Sequence, residues 1–436
     1  MTASASARSP LTRALFAIGL EALTTLSRDG LLLLLQRMIR MYAYGSSTLV
    51  LALLFNSLGF SDTQLGAFMT LTLLGDVLVS LLLTLVADKV GRRNILLAGA
   101  GLMLASGVVF ALGSSYIILL LAAIVGVITP SGNEIGPFRA IEESIQAQIT
   151  PANLRTDIFA ISGMVGFLST ALGQISIGWA TERMIGVWGW SELDAYRAVF
   201  WVYAACAGMK LVLTAGLSEE CEVEKLKHPK PPRLSTRIIN LFPTLSPESR
   251  SIVWKLSLLF ALDSLGGGLV PKSFVVYFFY QKFGLPTSAL GTIFSLTSLG
   301  SGISNLLAVA IAKQIGLVRT IVYTHLPGAM FLSLTPVSSN LYIAAACIIL
   351  RSTAGSMGRA PRTAFTSQVV LKEERTSVLG IVNVVKTLAQ AAGPWISGRL
   401  SETGNLWLSF VVAGALKATY DFGLLWVFLN QKPREQ

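Results

Sequence analysis

Ionisable side chains recur inside long apolar runs of this chain. A Lys, Arg or Asp at the centre of a membrane helix costs about 2.5–3.5 kcal/mol. Arg37, Arg40 and Tyr44 fall within about 60° of one another at 100° per residue, so they share one helix face. Arg139, Glu142, Glu143 and Gln146 share another. So do Arg351, Arg359 and Arg362, although Pro361 distorts that stretch. Asn383, Lys386 and Gln390 share a fourth, and a further run carries Asp263 and Lys272. Such groups persist only where they face water, protein or one another, and two chemistries suit them. Guanidinium groups bind carboxylate or phosphate through paired hydrogen bonds, and bases outnumber acids, so an anionic solute is expected. The carboxyls of Glu134, Glu142, Glu143 and Asp263, shielded from bulk water, are the groups a proton gradient could address. Plain structural pairing competes with both, most directly for Arg37 with Glu142.

Other chemistries lack their residues. His228 and His325 each stand without a cysteine or second histidine at ligand spacing, so neither is expected to hold a metal. Cys206, Cys221 and Cys347 are odd in number and lie mostly inside apolar runs, which gives no disulfide framework. No nucleophile–base constellation appears, so an enzyme is not expected. No G-x-x-x-x-G-K-[ST] loop is present, so ATP is not expected to drive the protein. No cofactor is expected.

The elements that must position these charges are membrane spans. Of 436 residues, 53% are hydrophobic and 13% charged, where a soluble domain carries roughly 25% charged residues. The net charge of +11 collects in short segments between apolar runs, which points to a lipid bilayer and away from nucleic acid. Twelve runs can be drawn: about Leu31–Leu58, a second ending at Val86, Ile95–Leu112, Tyr116–Ile149, Asp157–Met184, Tyr196–Leu217, Ser251–Tyr280, Thr287–Ile311, Arg319–Val337, Leu341–Val370, Ser377–Leu400 and Leu406–Leu429. Residues 1–30 form an N-terminal tail whose Leu11–Leu26 stretch suits the membrane surface. Ser218–Arg250 is a basic linker, and 431–436 a short tail. An even number of spans puts both termini on one side. The loops there hold most of the lysines and arginines, so both termini are expected in the cytoplasm.

The chain is internally duplicated. A shift of 225 lays Gly59–Gly75 over Gly284–Gly300 with Gly59, Leu65, Gly66, Leu71, Thr72, Leu74 and Gly75 each on an identical residue. A shift of 220 lays Arg139, Gln148, Arg155, Thr156, Gly173 and Gly178 on Arg359, Gln368, Arg375, Thr376, Gly393 and Gly398. Two six-span halves, 31–217 and 251–430, follow from this, with a solute site expected between them.

Between the second and third runs stands Ala87-Asp88-Lys89-Val90-Gly91-Arg92-Arg93, read as a tight basic hairpin reversing at Gly91. It resembles the loop between the second and third spans of major facilitator superfamily transporters, with Thr84 where that family usually has glycine. The resemblance implies an all-α membrane fold of twelve transmembrane helices in two pseudo-symmetric six-helix bundles. It implies alternating access about a cavity lined by spans one, four, seven and ten, and four of the five charged faces lie on those spans. Substrate contacts are therefore expected from Arg37, Arg40, Tyr44, Arg139, Lys272, Arg351, Arg359, Arg362, Asn383, Lys386 and Gln390. The resemblance also implies a cytoplasmic gate in which Asp88, with Lys89, Gly91, Arg92 and Arg93, meets the start of span eleven at Arg375 and Thr376, whose helix dipole attracts the acid. A monomer moving a small-molecule solute with protons is the expected working unit. The Gly-Pro-x-x-Gly-Gly pattern of drug antiporters is missing from span five, and Gly393-Pro394 appears in span eleven instead. A drug or metabolite exporter of proton-antiporter type and a non-transporting sensor stand as the alternatives.

Overall fold

The caps and reversals written in the sequence set the helix ends. The computed structural model of the protein describes residues 26–126, 137–151, 154–222, 247–358 and 374–428, with positions 23, 128, 361–362, 365–366 and 369. Among these every regular element is helical. The first half holds α1 (Arg28–Ser57), α2 (Asp62–Val90), α3 (Arg92–Leu112), α4 (Tyr116–Gly126), α5 (Pro137–Ile149), α6 (Arg155–Gly186) and α7 (Glu192–Ala215). The second holds α8 (Pro247–Leu269), α9 (Lys272–Phe283), α10 (Thr287–Ile315), α11 (Leu317–Leu334), α12 (Leu341–Met357), α13 (Arg375–Glu402) and α14 (Leu406–Phe428). Ser27, Ser191 and Asn340 cap α1, α7 and α12 by accepting first-turn N–H groups, which satisfies donors that hydrocarbon cannot. Gly91 (φ 97°) and Gly316 (φ 85°) reverse the chain into α3 and α11. They lie 225 positions apart, and each has a positive φ that favours glycine.

Three boundaries differ from expectation. Helix α2 runs through Val90, so Asp88 and Lys89 belong to its last turn and the hairpin shrinks to Gly91. Span seven is two helices, because Pro271 has no N–H to continue the ladder and Gly266-Gly267-Gly268 weakens the turn before it; α9 starts afresh at Lys272. In span four, expected as one run, the described residues form helix over Tyr116–Gly126 and Pro137–Ile149, with Ile128 outside helix. By length and composition α1, α3, α6, α7, α8 and α14 can each cross a membrane. Trp188 and Trp190, both exposed in the turn after α6, suit the membrane–water interface.

Within each half, small residues let backbones touch. A Cβ on Gly45 would lie 2.3 Å from the carbonyl oxygen of Thr170, and one on Gly268 would lie 2.1 Å from that of Gln390. Thr170 and Gln390 are 220 positions apart, so α1 against α6 and α8 against α13 are copies of one packing.

The halves meet chiefly along α6 with α10 and α2 with α13. A Cβ on Gly66 would fall 2.4 Å from Pro394 O, and one on Gly398 would fall 2.5 Å from Asp62 O. Gly178 and Gly291 stand in the same relation, 2.5 Å from Thr287 O and Gln174 O. The shifts of 225 and 220 carry one glycine pair onto the other, so both crossings are again copies. Hydrogen bonds frame them: Thr181 with Thr287 at 2.9 Å, Ser401 donating to Asp62 at 2.5 Å, and the Ser288 N–H donating to Glu182 at 3.0 Å. All of these lie at the ends of spans two, five, eight and eleven farthest from the termini. There the two halves touch backbone to backbone.

Candidate functional site

Between the halves lies a cavity of about 540 Å³. The first half gives it Tyr44 from α1, Arg139 from α5 and Phe167 and Thr170 from α6; the second gives most of the remaining wall. Six cations line it (Arg139, Lys272, Arg351, Arg362, Lys386 and Lys417) against the single carboxylate of Asp263 among the described lining.

Asp263 is the hub. Helix α8 delivers it, and the stem of Lys417 from α14 lies along Gly266 of that helix. The carboxylate accepts from Arg362 Nη1 at 2.5 Å and Lys417 Nζ at 2.8 Å, and His325 Nε2 lies 3.3 Å away. Behind the histidine, Nδ1 faces the fully buried carboxylate of Asp421 at 2.9 Å. The Arg362 guanidinium lies 5.0 Å over the Tyr420 ring, and the Lys386 ammonium 5.6 Å over Phe260. Aromatic faces thus hold cations beside the cavity in a low-dielectric setting, where that attraction is worth about 2 kcal/mol. On the other wall Lys272 donates to Ser298 at 3.1 Å. Turning the Gln174 amide places its oxygen 2.7 Å from Lys272 and its nitrogen 2.8 Å from Ser298.

The expected substrate residues divide. Tyr44, Arg139, Lys272, Arg351, Arg362, Asn383, Lys386 and Gln390 share the cavity, and Asp263 joins them. Arg40 does not: it pairs with Glu142 at 2.7 Å, and buried Lys210 of α7 holds the other carboxylate oxygen at 3.0 Å. Glu142 thus gathers Arg40 and Lys210, two partners beyond the Arg37 expected from sequence. Arg37 lies against Gly166 of α6, close enough to act on Glu142 through its charge. Glu142 and Glu143 were drawn on one face, but a 100° step separates neighbours on a helix; Glu143 instead pairs with Arg139 at 2.7 Å, half-exposed. Glu134 and Arg359 lie outside the described residues, as do the side chains of Asp88, Lys89, Arg375 and Thr376.

Removing one partner of a buried ion pair leaves the others desolvated and uncompensated, at roughly 3–5 kcal/mol. Glu142→Gln is accordingly expected to lower the thermal midpoint of the purified protein markedly. Glu143→Gln removes a half-exposed pair worth at most about 1 kcal/mol and should barely move it. Equal midpoints for the two variants would refute the sealed trio.

Near the termini, Arg92 and Arg93 are engaged within their own half. Their backbone N–H groups donate to Glu222 at 2.8 and 3.1 Å, Arg92 Nη1 donates to Gln148 at 2.9 Å, and Arg93 Nη2 donates to the Ala215 carbonyl at 2.5 Å. Glu222 thus caps the first turn of α3 from the segment that follows α7. Cys221 beside it is buried and donates to Asp29; burial first, and then that carboxylate, push its thiol up to about 12. The thiol stays protonated at neutral pH, so Cys221 should resist maleimide in the folded protein and react on unfolding.

Sequence reasoning missed His325, Lys417, Asp421, Lys210 and Glu222. A signal existed for two of them: Lys417 and Asp421 are i, i+4 neighbours of opposite charge inside the last apolar run. His325 offers only its own isolation, and nothing near it in sequence points to an ion-pair partner.

A sequence model of the Major Facilitator Superfamily matches residues 33–270 and 256–436. The chain belongs to the major facilitator superfamily. An uncharacterized membrane protein of Saccharomyces cerevisiae is 34% identical over 425 residues, covering 93% of this chain and 95% of its own. The inward-open xylose transporter XylE of E. coli superposes with a TM-score of 0.73 at 15% identity, over 93% of this chain and 97% of its own. The nucleoside transporter NupG gives 0.71 at 14% identity, over 93% and 100%. These two likenesses carry the fold. The superfamily fold of twelve spans in two pseudo-symmetric halves is the architecture described above, and this member is a multi-pass membrane transporter.

Proposed function

We propose that this superfamily member is a secondary active transporter of a small organic anion, coupled to protons and working by alternating access, with both termini cytoplasmic. The observation that carries the reading is the charge of the cavity. Among the described lining six cations stand with one carboxylate, so the cavity wall carries a positive charge that attracts anions. Guanidinium and ammonium donors there suit a solute carboxylate or phosphate, which they hold in charge-assisted hydrogen bonds. The hydroxyls of Ser264, Ser301, Ser352 and Ser356 and the amides of Asn383 and Gln390 line the remaining space and suit the uncharged oxygens of such a molecule. One chain suffices, because both walls come from the same polypeptide. Alternating access is supported by the two duplicate glycine crossings, which hold one side together through backbone contacts that two rigid halves can make or break.

The test is uptake by proteoliposomes holding the purified protein. Citrate, succinate and glucose 6-phosphate are compared with xylose and uridine, with and without an acid exterior. Anion uptake stimulated by the acid gradient is expected. Uptake of the neutral solutes alone would overturn the anion reading. Lys386→Gln removes one charged donor worth roughly 1.5–3 kcal/mol, so half-saturation for the transported anion should rise about tenfold or more. An unchanged half-saturation would remove Lys386 from the site.

A further inference from the structure

Both ring nitrogens of His325 face carboxylates. Nδ1 lies 3.0 and 2.9 Å from the two oxygens of Asp421, and Nε2 lies 3.3 Å from Oδ1 of Asp263. A neutral imidazole has one N–H and one lone pair. With both acids ionised, whichever tautomer it took, that lone pair would point at a carboxylate oxygen. Imidazolium donates on both sides. Asp263 is already held as a carboxylate by Arg362 and Lys417, so the added proton belongs on the ring and not on that acid. The geometry points to His325, clasped between Asp421 and Asp263, as the proton-binding site of this transporter.

The site is open on one side only. His325 and Asp263 border the cavity, whereas Asp421 is fully buried. A proton therefore enters and leaves at Nε2, through water in the cavity, while Asp421 holds Nδ1–H and fixes the ring's orientation. The charged and titratable groups around the ring come from five elements. Asp263 comes from α8; Lys417, Tyr420 and Asp421 from α14; Arg362 from the helical turn after α12; and, farther off, Lys386 from α13 and Arg351 from α12, whose charge acts on Lys417. No acid or base of α11 itself takes part among the described residues.

Charge counting then links proton to solute, and this step rests on the reading of the cavity as the path of an anion. Asp263, Asp421, Arg362 and Lys417 sum to zero, and the protonated ring raises the cluster to +1. A solute carboxylate or phosphate that draws Arg362 and Lys417 from Asp263 brings the charge back down. The protonated ring meanwhile keeps Asp263 from standing alone. When the proton leaves Nε2, Asp263 takes both cations back and the solute loses its hold. Proton and anion thus bind together and leave together.

The chain has two histidines, which makes the test direct. Full-length His228→Gln protein, labelled with ¹⁵N-histidine and placed in lipid nanodiscs, shows the ring of His325 alone by NMR. Both nitrogens are expected to show an attached proton in the resting protein. Asp421→Asn in the same background should lose the imidazolium signal. A ring with one unprotonated nitrogen in the His228→Gln protein overturns the proposal, and this holds even if the Asp421 variant fails to fold. In proteoliposomes, the citrate or glucose 6-phosphate uptake that His325→Gln retains should no longer respond to external pH. A preserved response would also overturn it. A neutral ring with intact acid-driven anion uptake would sink the proton site and spare the transporter reading; imidazolium without anion flux under any gradient would do the reverse.

Discussion

Asp263→Asn is expected to cut anion uptake at least a hundredfold while the protein still reaches the membrane. Asp263 accepts from Arg362 and Lys417 and stands 3.3 Å from His325, so its loss strands largely buried cations. Removing one member of a buried charge cluster costs roughly 3–5 kcal/mol. Even about 2.7 kcal/mol placed on the transport barrier gives two decades in rate. The stranded cations would hold the solute anion in Asp263's place, so binding should tighten or persist while release slows. Initial uptake rates and equilibrium binding of the same anion separate these effects. Adding Lys417→Gln removes one stranded charge and should recover part of the rate. Uptake within twofold of wild type in the single variant would show that Asp263 is no hub.

Gly291→Trp is expected to abolish transport by keeping the far side of the molecule from closing. A Cβ at Gly291 would already lie 2.5 Å from the Gln174 carbonyl oxygen, and an indole cannot fit between α10 and α6. The clash falls between two halves that separate as bodies, so it should shift the conformational equilibrium more than it unfolds either half. Spin labels at Gln64 and Thr403, both exposed near the end where the halves touch, should then report a longer distance than in the parent protein. Gly66→Trp, the duplicate position on α2, should do the same. An unaltered distance with normal transport in both variants would mean that these crossings do not gate. Gly186, in α6 but with nothing within 4 Å of an added Cβ, is the control, and Gly186→Ala should leave distance and transport as they were.

Much of the frame was legible because hydropathy is a local property. A residue's preference for hydrocarbon does not depend on its partners, and the two shifts exposed the duplication before any helix was placed. The same shifts relate Gly66 to Gly291 and Gly178 to Gly398, so the close crossings were present as a pattern, though nothing local said which glycines would touch. Helical spacing put Asn383, Lys386 and Gln390 together correctly because they lie within three turns of one helix. It failed for Glu142 and Glu143, adjacent residues whose side chains serve different neighbours. Pro271 marks the break in span seven, although the apolar run continues across it.

Pairing between spans was out of reach. His325 and Asp421 are 96 positions apart, as are many residues that never meet. Lys210 and Asp421 could be seen as intramembrane charges but not matched to Glu142 and His325. That requires the distance between helices, which the glycine contacts set to within an ångström or so. By itself the sequence determined a duplicated, twelve-span membrane protein with charges at depth, since burial in lipid is read residue by residue. Tertiary structure alone decided which of those charges are sealed into trios and which face a shared cavity, because a salt bridge exists only at the few ångströms where the Coulomb term exceeds the cost of desolvation.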